Sequence, residues 1–163
     1  MVTAIVNDPS LVAGQVLDWT GCITFVGKKT TGAVARGDLM VPDTSTAPDS
    51  WKVAPASASQ TGPFAVAMQD AASADTEVHL AQGGVIALTA DGTIEINKLV
   101  QNATSTAGQV IQFVSYTGTT GSEAAIDFNH VVGECLGFAD NFWTTAPTAP
   151  VDGDLAAIKL RIT

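Results

Sequence analysis

The side chains able to do chemistry are few and scattered. The chain has two histidines, His79 and His130, and two cysteines, Cys22 and Cys135. His130 has Asp127 and Glu134 as sequence neighbours, the raw material of a metal pocket. Their spacing matches no established zinc pattern, so ordinary loop polarity is expected. His79 alternates with Val78 and Leu80, which places it on the outer face of a strand. Asp152-Gly153-Asp154 has the form of half a calcium loop but lacks further oxygen donors at regular spacing. A turn before the last strand is expected there. Cys22 and Cys135 are far apart, and two isolated cysteines make neither a disulfide framework nor a zinc site. Each sits among apolar neighbours and is expected as a buried, reduced thiol. There is no Gly-x-Ser-x-Gly elbow, phosphate-binding glycine loop or His-Glu-x-x-His. The expectation is therefore a non-enzymatic protein with no catalytic residues, no cofactor and no metal ligands. Asn102-Ala103-Thr104 matches a glycosylation sequon, a triplet that arises often by chance.

Composition narrows the partners. Sixteen acidic residues against seven Lys plus Arg give a net charge of −9. A nucleic-acid partner needs a basic footprint to displace counterions from phosphates, and this chain has none. No uninterrupted apolar stretch approaches the ~20 residues of a membrane-spanning helix. The N-terminus lacks a basic region followed by an apolar core, so no secretory signal is expected. At 163 residues the chain is one domain by length, and such a domain buries roughly 70% of its unfolded surface.

The elements that must position these residues are short strands. Residues 83–100 read as a strand, a turn at Ala90-Asp91-Gly92, and a second strand in which Ile94 and Ile96 alternate with Glu95 and Asn97. Other strand candidates are residues 15–19, 22–26, 51–54, 64–68, 109–114, 131–138 and 155–162, with residues 27–32 as a polar turn. Residues 70–75 turn the chain, with room for one helical turn. No segment carries a sustained helical period. The expected fold is all-β: a compact barrel or sandwich-like domain of many short strands over residues 15–163, preceded by an N-terminal arm, residues 1–14.

The two halves echo each other. Ala33-Val34-Ala35-Arg36-Gly37-Asp38-Leu39-Met40 aligns with Thr93-Ile94-Glu95-Ile96-Asn97-Lys98-Leu99-Val100. Phe64-Ala65-Val66-Ala67-Met68 aligns with Val132-Gly133-Glu134-Cys135-Leu136, and Thr76-Glu77-Val78-His79-Leu80 with Ala156-Ala157-Ile158-Lys159-Leu160. Two β-lobes closing one barrel would explain this.

The first of these segments, with Gly62-Pro63-Phe64-Ala65-Val66-Ala67-Met68-Gln69-Asp70-Ala71-Ala72, Thr76-Glu77-Val78-His79-Leu80 before Gly83-Gly84-Val85, Val131-Val132-Gly133-Glu134-Cys135-Leu136 and Asp152-Gly153-Asp154-Leu155-Ala156-Ala157-Ile158-Lys159-Leu160, resembles the small capsid decoration (cement, head-stabilising) proteins of tailed bacterial or archaeal viruses. The resemblance covers roughly residues 30–163 and rests on glycine and valine spacings. It implies a compact β-domain, commonly a homotrimer, made in the host cytoplasm and carried on the outer capsid surface. There it would bind the major capsid protein and brace neighbouring subunits against internal pressure. Alternatives are another structural phage component (tail tube, head-completion or fibre-tip module) or a carbohydrate-binding β-module with Trp51 and Trp143 as its platform.

The candidate contact residues are apolar. Val2, Ile5, Val6 and Leu11 lie in the arm, and Phe142-Trp143 lies in the Pro- and Thr-rich loop 141–154. Buried aromatics dominate interface energetics, which singles out the Phe142-Trp143 pair. Trp19 and Trp51 are expected to cap the ends of the barrel.

Overall fold

The computed structural model describes residues 11–30, 32–45, 48–57, 59–113 and 128–161. Val2, Ile5 and Val6 lie outside these, as does Asp127. Among the described residues eleven strands run in chain order: β1 Val16–Asp18, β2 Ile23–Lys29, β3 Leu39–Pro42, β4 Ser50–Val53, β5 Ala65–Ala67, β6 Glu77–Gln82, β7 Val85–Thr89, β8 Leu99–Asn102, β9 Val110–Gln112, β10 Val131–Phe138 and β11 Leu155–Leu160. Two single 3-10 turns, Phe128–His130 and Ala139–Asn141, flank β10. The fold is all-β. It comprises a closed five-stranded barrel, β2-β4-β3-β5-β6, and a six-stranded sheet ordered β1-β7-β11-β10-β8-β9.

The echo between the halves is a repeat of topology. Without β1, the sheet reads β7-β11-β10-β8-β9, and the barrel read from the same point is β2-β6-β5-β3-β4. Registers repeat as well. Leu39 faces Val66 as Leu99 faces Glu134, and Met40 faces both Ala65 and Val53 as Val100 faces both Gly133 and Gln112. The barrel closes where β2 meets β4 in parallel, with Lys29 opposite Trp51. The second lobe makes the same parallel closure with one bridge, Ala90 opposite Val110. Phe25 faces Leu80 as Ile86 faces Ile158. The last strand is therefore offset from the sequence alignment, which paired Leu80 with Leu160. A slip of two residues keeps every side chain on the same face, so the hydrophobic pattern cannot detect it.

One core joins the lobes. Leu39, Val41, Phe64 and Val66 of the barrel pack against Ile86, Leu88, Val100, Val132 and Ile158 of the sheet. A second cluster fills the barrel itself, with Met40, Trp51, Val78 and Leu80.

Three local expectations are corrected. Residues 93–97 are not a strand: Ile94 is buried from a loop, its N–H held by the Pro150 carbonyl at 3.0 Å. The strand that follows, β8, pairs with β9 and β10 and not with β7. Residues 27–29 are not a turn, because β6 and β4 hold Lys28 and Lys29 in β2 from either side. The chain between residues 70 and 75 forms a turn without a helix.

Candidate docking surface

The sheet is apolar on both faces. On the face turned away from the shared core, Val85 and Ala87 of β7, Ala157 of β11 and Ala139 are buried beneath partly buried Leu11, Leu17, Leu136, Phe142 and Leu155. The equivalent positions in the barrel are Thr24, Val26, His79 and Glu77, all exposed. The two lobes thus share a strand order but differ in their outer faces, apolar in the second and exposed in the barrel.

Phe142 and Trp143 stand at the edge of that face. The turn Ala139–Asn141 leads out of β10, and the loop folds back on itself through Asn141. The Asn141 Nδ2 donates to Thr148 Oγ1 at 2.9 Å, and the Thr148 N–H returns a bond to Asn141 Oδ1 at 3.3 Å. The Thr144 hydroxyl and N–H both donate to the Asn141 carbonyl, at 2.7 and 3.0 Å. The Phe138 N–H donates to the Thr148 carbonyl at 2.7 Å. Phe142 packs into the apolar cluster, and its ring centroid lies 4.1 Å from that of Trp143. Trp143 itself is 53% exposed. An indole held in place by a hydrogen-bonded loop loses little conformational freedom on binding, which is what an interface anchor requires.

The other candidates fall out as follows. Leu11 is packed against the same cluster as Phe142, so the described end of the arm and the tryptophan loop share one face. Trp51 is 8% exposed and stacks against Phe25 at 5.5 Å, inside the barrel end. A sugar platform built from Trp51 and Trp143 is thereby ruled out. Among the described residues Trp19 does not cap the barrel as expected; it is 62% exposed in the turn between β1 and β2. Ile23 and Val26 of β2 are exposed as well, at 54% and 50%, and sequence reasoning did not single them out.

The potential chemistry is structural. His79 is exposed on β6, and His130 Nδ1 lies 3.0 Å from the Gln60 carbonyl. Among the described residues no three His, Cys, Asp or Glu side chains converge in a way that could hold a metal. Residues 151–154 form the expected turn. The Val151 N–H donates to Asp154 Oδ2, the Gly153 N–H donates to the Ala90 carbonyl, and the Ala90 N–H donates to the Asp154 carbonyl, which ties the turn to the end of β7. Cys135 is fully buried and Cys22 half-buried, and burial pushes both thiols up. Asn102 is 1% exposed and its amide donates to the carbonyls of Pro55, Ser57 and Ala103. The sequon is consumed by the fold.

Together these features define a class: a tandem of two five-stranded β units that offers a shaped surface. No family model matches the chain, and no curated protein matches it. Among solved structures, the chain is similar to the crystal structure of the head fiber gp8.5 N base of bacteriophage phi29, with a TM-score of 0.53 and 14% identity. The match covers 86% of this chain and 94% of that one. At this identity the likeness is one of fold.

Proposed function

We infer that the chain is a non-enzymatic structural protein of a phage head, docked on the outer capsid surface. The observation that carries this reading is the tandem β fold, shared over most of both chains with the base of a phage head fibre. The finer reading is decoration: a homotrimer that bridges subunits of the major capsid protein and braces the shell. Trp143 and the apolar face behind it supply the contact. A single β-domain offers a modest patch, but three linked patches gain by effective concentration. A protein that binds only the matured shell stabilises it by mass action.

Binding of the purified chain to shells lacking it tests this reading. Saturable binding that weakens at least tenfold in Trp143→Ala supports it, and no binding to the shell refutes it. A second reading, a fibre base, draws on the description of the phi29 structure. It differs in copy number: a fibre base occupies selected sites, whereas a decoration protein covers the lattice.

A further inference from the structure

The end of the sheet that carries Trp143 is negative. Residues 139–154 include Asp140, Asp152 and Asp154 and no Lys, Arg or His. Phe138, the last residue of β10, lies opposite Ala156, one residue into β11, so the segments on either side of the tryptophan loop share one end of the sheet. Lys159 is on the same face as Ala157 but further along β11, opposite Glu134 on one side and Val85 on the other.

Asp140 is the carboxylate that bears on Trp143. Asp154 is already engaged, taking the Val151 N–H at 3.0 Å. Asp140 is partly buried, and among the described residues its side chain has neither a hydrogen bond nor an ion pair. The turn Ala139–Asn141 is 3-10, and Phe142 continues it with φ −64° and ψ −21°. Side chains three apart in such a turn stand one above the other, which brings the Asp140 carboxylate beside the Trp143 indole. Phe142 takes one part of the indole, at 4.1 Å between ring centroids and a 44° tilt, and leaves the rest open to solvent. Trp19 makes the contrast. It is exposed too, but the neighbouring Asp18 accepts the Thr20 N–H at 2.9 Å and lies in the field of Lys159.

This pairing restricts what can cover Trp143. A partner that brings apolar surface alone takes Asp140 out of water with no compensating charge, which is costly. A partner that brings a cation gains twice, because the face of an indole attracts positive charge as well. A guanidinium meets both groups at once: it lies flat on an aromatic face and donates a fork of N–H groups to a carboxylate. An ammonium is a compact point charge without the flat face.

We propose that Trp143 and Asp140 form a receptor for an arginine side chain, presented by the shell protein. The owner of that arginine rests on the docking reading above, while the arginine site itself does not.

The first test uses the full chain free in solution, with nitrogen-15 in its indoles. It is titrated at constant ionic strength with the peptide acetyl-Gly-Arg-Gly-amide. The same peptide with citrulline for arginine, alike in shape but neutral, is the control, and Trp143→Phe assigns the resonance. The Trp143 indole signal should shift saturably with the arginine peptide and stay in place with the citrulline one, and the Trp19 signal should move with neither. Asp140→Asn, which keeps the side chain's size, should abolish the shift. No shift at Trp143, an equal shift with citrulline, or a full shift in Asp140→Asn overturns the arginine site. Shells lacking the chain then test the owner. Asp140→Asn should weaken binding to them roughly tenfold, and binding at full strength overturns the assignment to the shell. A chain that takes the peptide but binds no shell refutes docking and upholds the arginine site. A chain that binds the shell through Trp143 but ignores the peptide does the reverse.

Discussion

Asn97 donates its backbone N–H to the Cys135 carbonyl at 2.7 Å, from a left-handed φ of 61°. In the other lobe Gly37 donates to Ala67 at 2.8 Å, from a φ of 89°. The return bonds repeat too, Cys135 N–H to Lys98 and Ala67 N–H to Asp38. One turn is therefore built twice, once with asparagine and once with glycine, the two residue types that enter this region at least cost.

The two turns should respond differently to substitution. A Cβ at Gly37 would lie 2.4 Å from the Ala13 Cβ, where the N-terminal segment crosses the barrel. Gly37→Ala should cost more than about 2 kcal/mol in urea denaturation, combining backbone strain with overpacking. Asn97→Gly should change stability by less than about 0.5 kcal/mol, because it only relaxes the left-handed position.

The aromatic pair should separate folding from docking. Phe142 packs into the cluster of Val85, Ala87 and Ala157, so Phe142→Ala should lower stability by about 1–2 kcal/mol. Trp143 is mostly solvent-facing, so Trp143→Ala should alter stability by no more than about 0.5 kcal/mol. Thermal unfolding of the two variants measures both.

The thiols should react in a fixed order. Cys135 is fully buried and its thiol is pushed up by burial, while Cys22 is half-buried with a smaller barrier to reagent. Iodoacetamide on the native protein should modify Cys22 at least ten times faster than Cys135, with the difference lost in denaturant. Peptide mapping at timed intervals reads the order.

Acid should loosen the loop after β8 first. The Ser105 hydroxyl donates to Asp91 Oδ2 at 2.6 Å, and this bond, helped by the Ser105 and Thr106 N–H groups, holds the carboxyl below its usual 3.8. A depressed carboxyl contributes stability above its unfolded value and loses it as pH falls through the folded value. Amide exchange at Ser105 and Thr106 should therefore accelerate below about pH 3.8, beyond its intrinsic pH dependence, and Asp91→Asn should remove that step. Asp38 works in the opposite sense. Burial raises its carboxyl, with Asp70 adding to the effect and the Ala35 N–H opposing it. Its contribution is complete below the usual 3.8 and is lost as pH rises through the raised value.

Much of the fold was legible because it is local. Short apolar runs between turn residues marked most of the strands, and Val78 and Leu80 point inward while Glu77 and His79 face water, as their alternation requires. The repeat was visible because residues 33–40 align with 93–100 without a gap, although the turn at Ile96-Asn97-Lys98 that matches Arg36-Gly37-Asp38 read as part of a strand. What stayed hidden depends on distant partners. Ile94 and Ile96 alternate like a strand, yet the Pro150 carbonyl takes the Ile94 N–H and holds that residue in a loop. That β1 pairs with β7 and not with β2 is likewise recorded by no pattern within either strand. The docking pair was legible in part: Phe142-Trp143 stood out by residue type, but the clamp through Asn141 and Thr148 needed the structure.

The central claim is that this chain coats a capsid. Quantitative mass spectrometry of purified particles, comparing this chain with the major shell protein, tests it most directly. Copy numbers approaching that of the shell protein are the predicted result. A few copies per particle, or none, would contradict it.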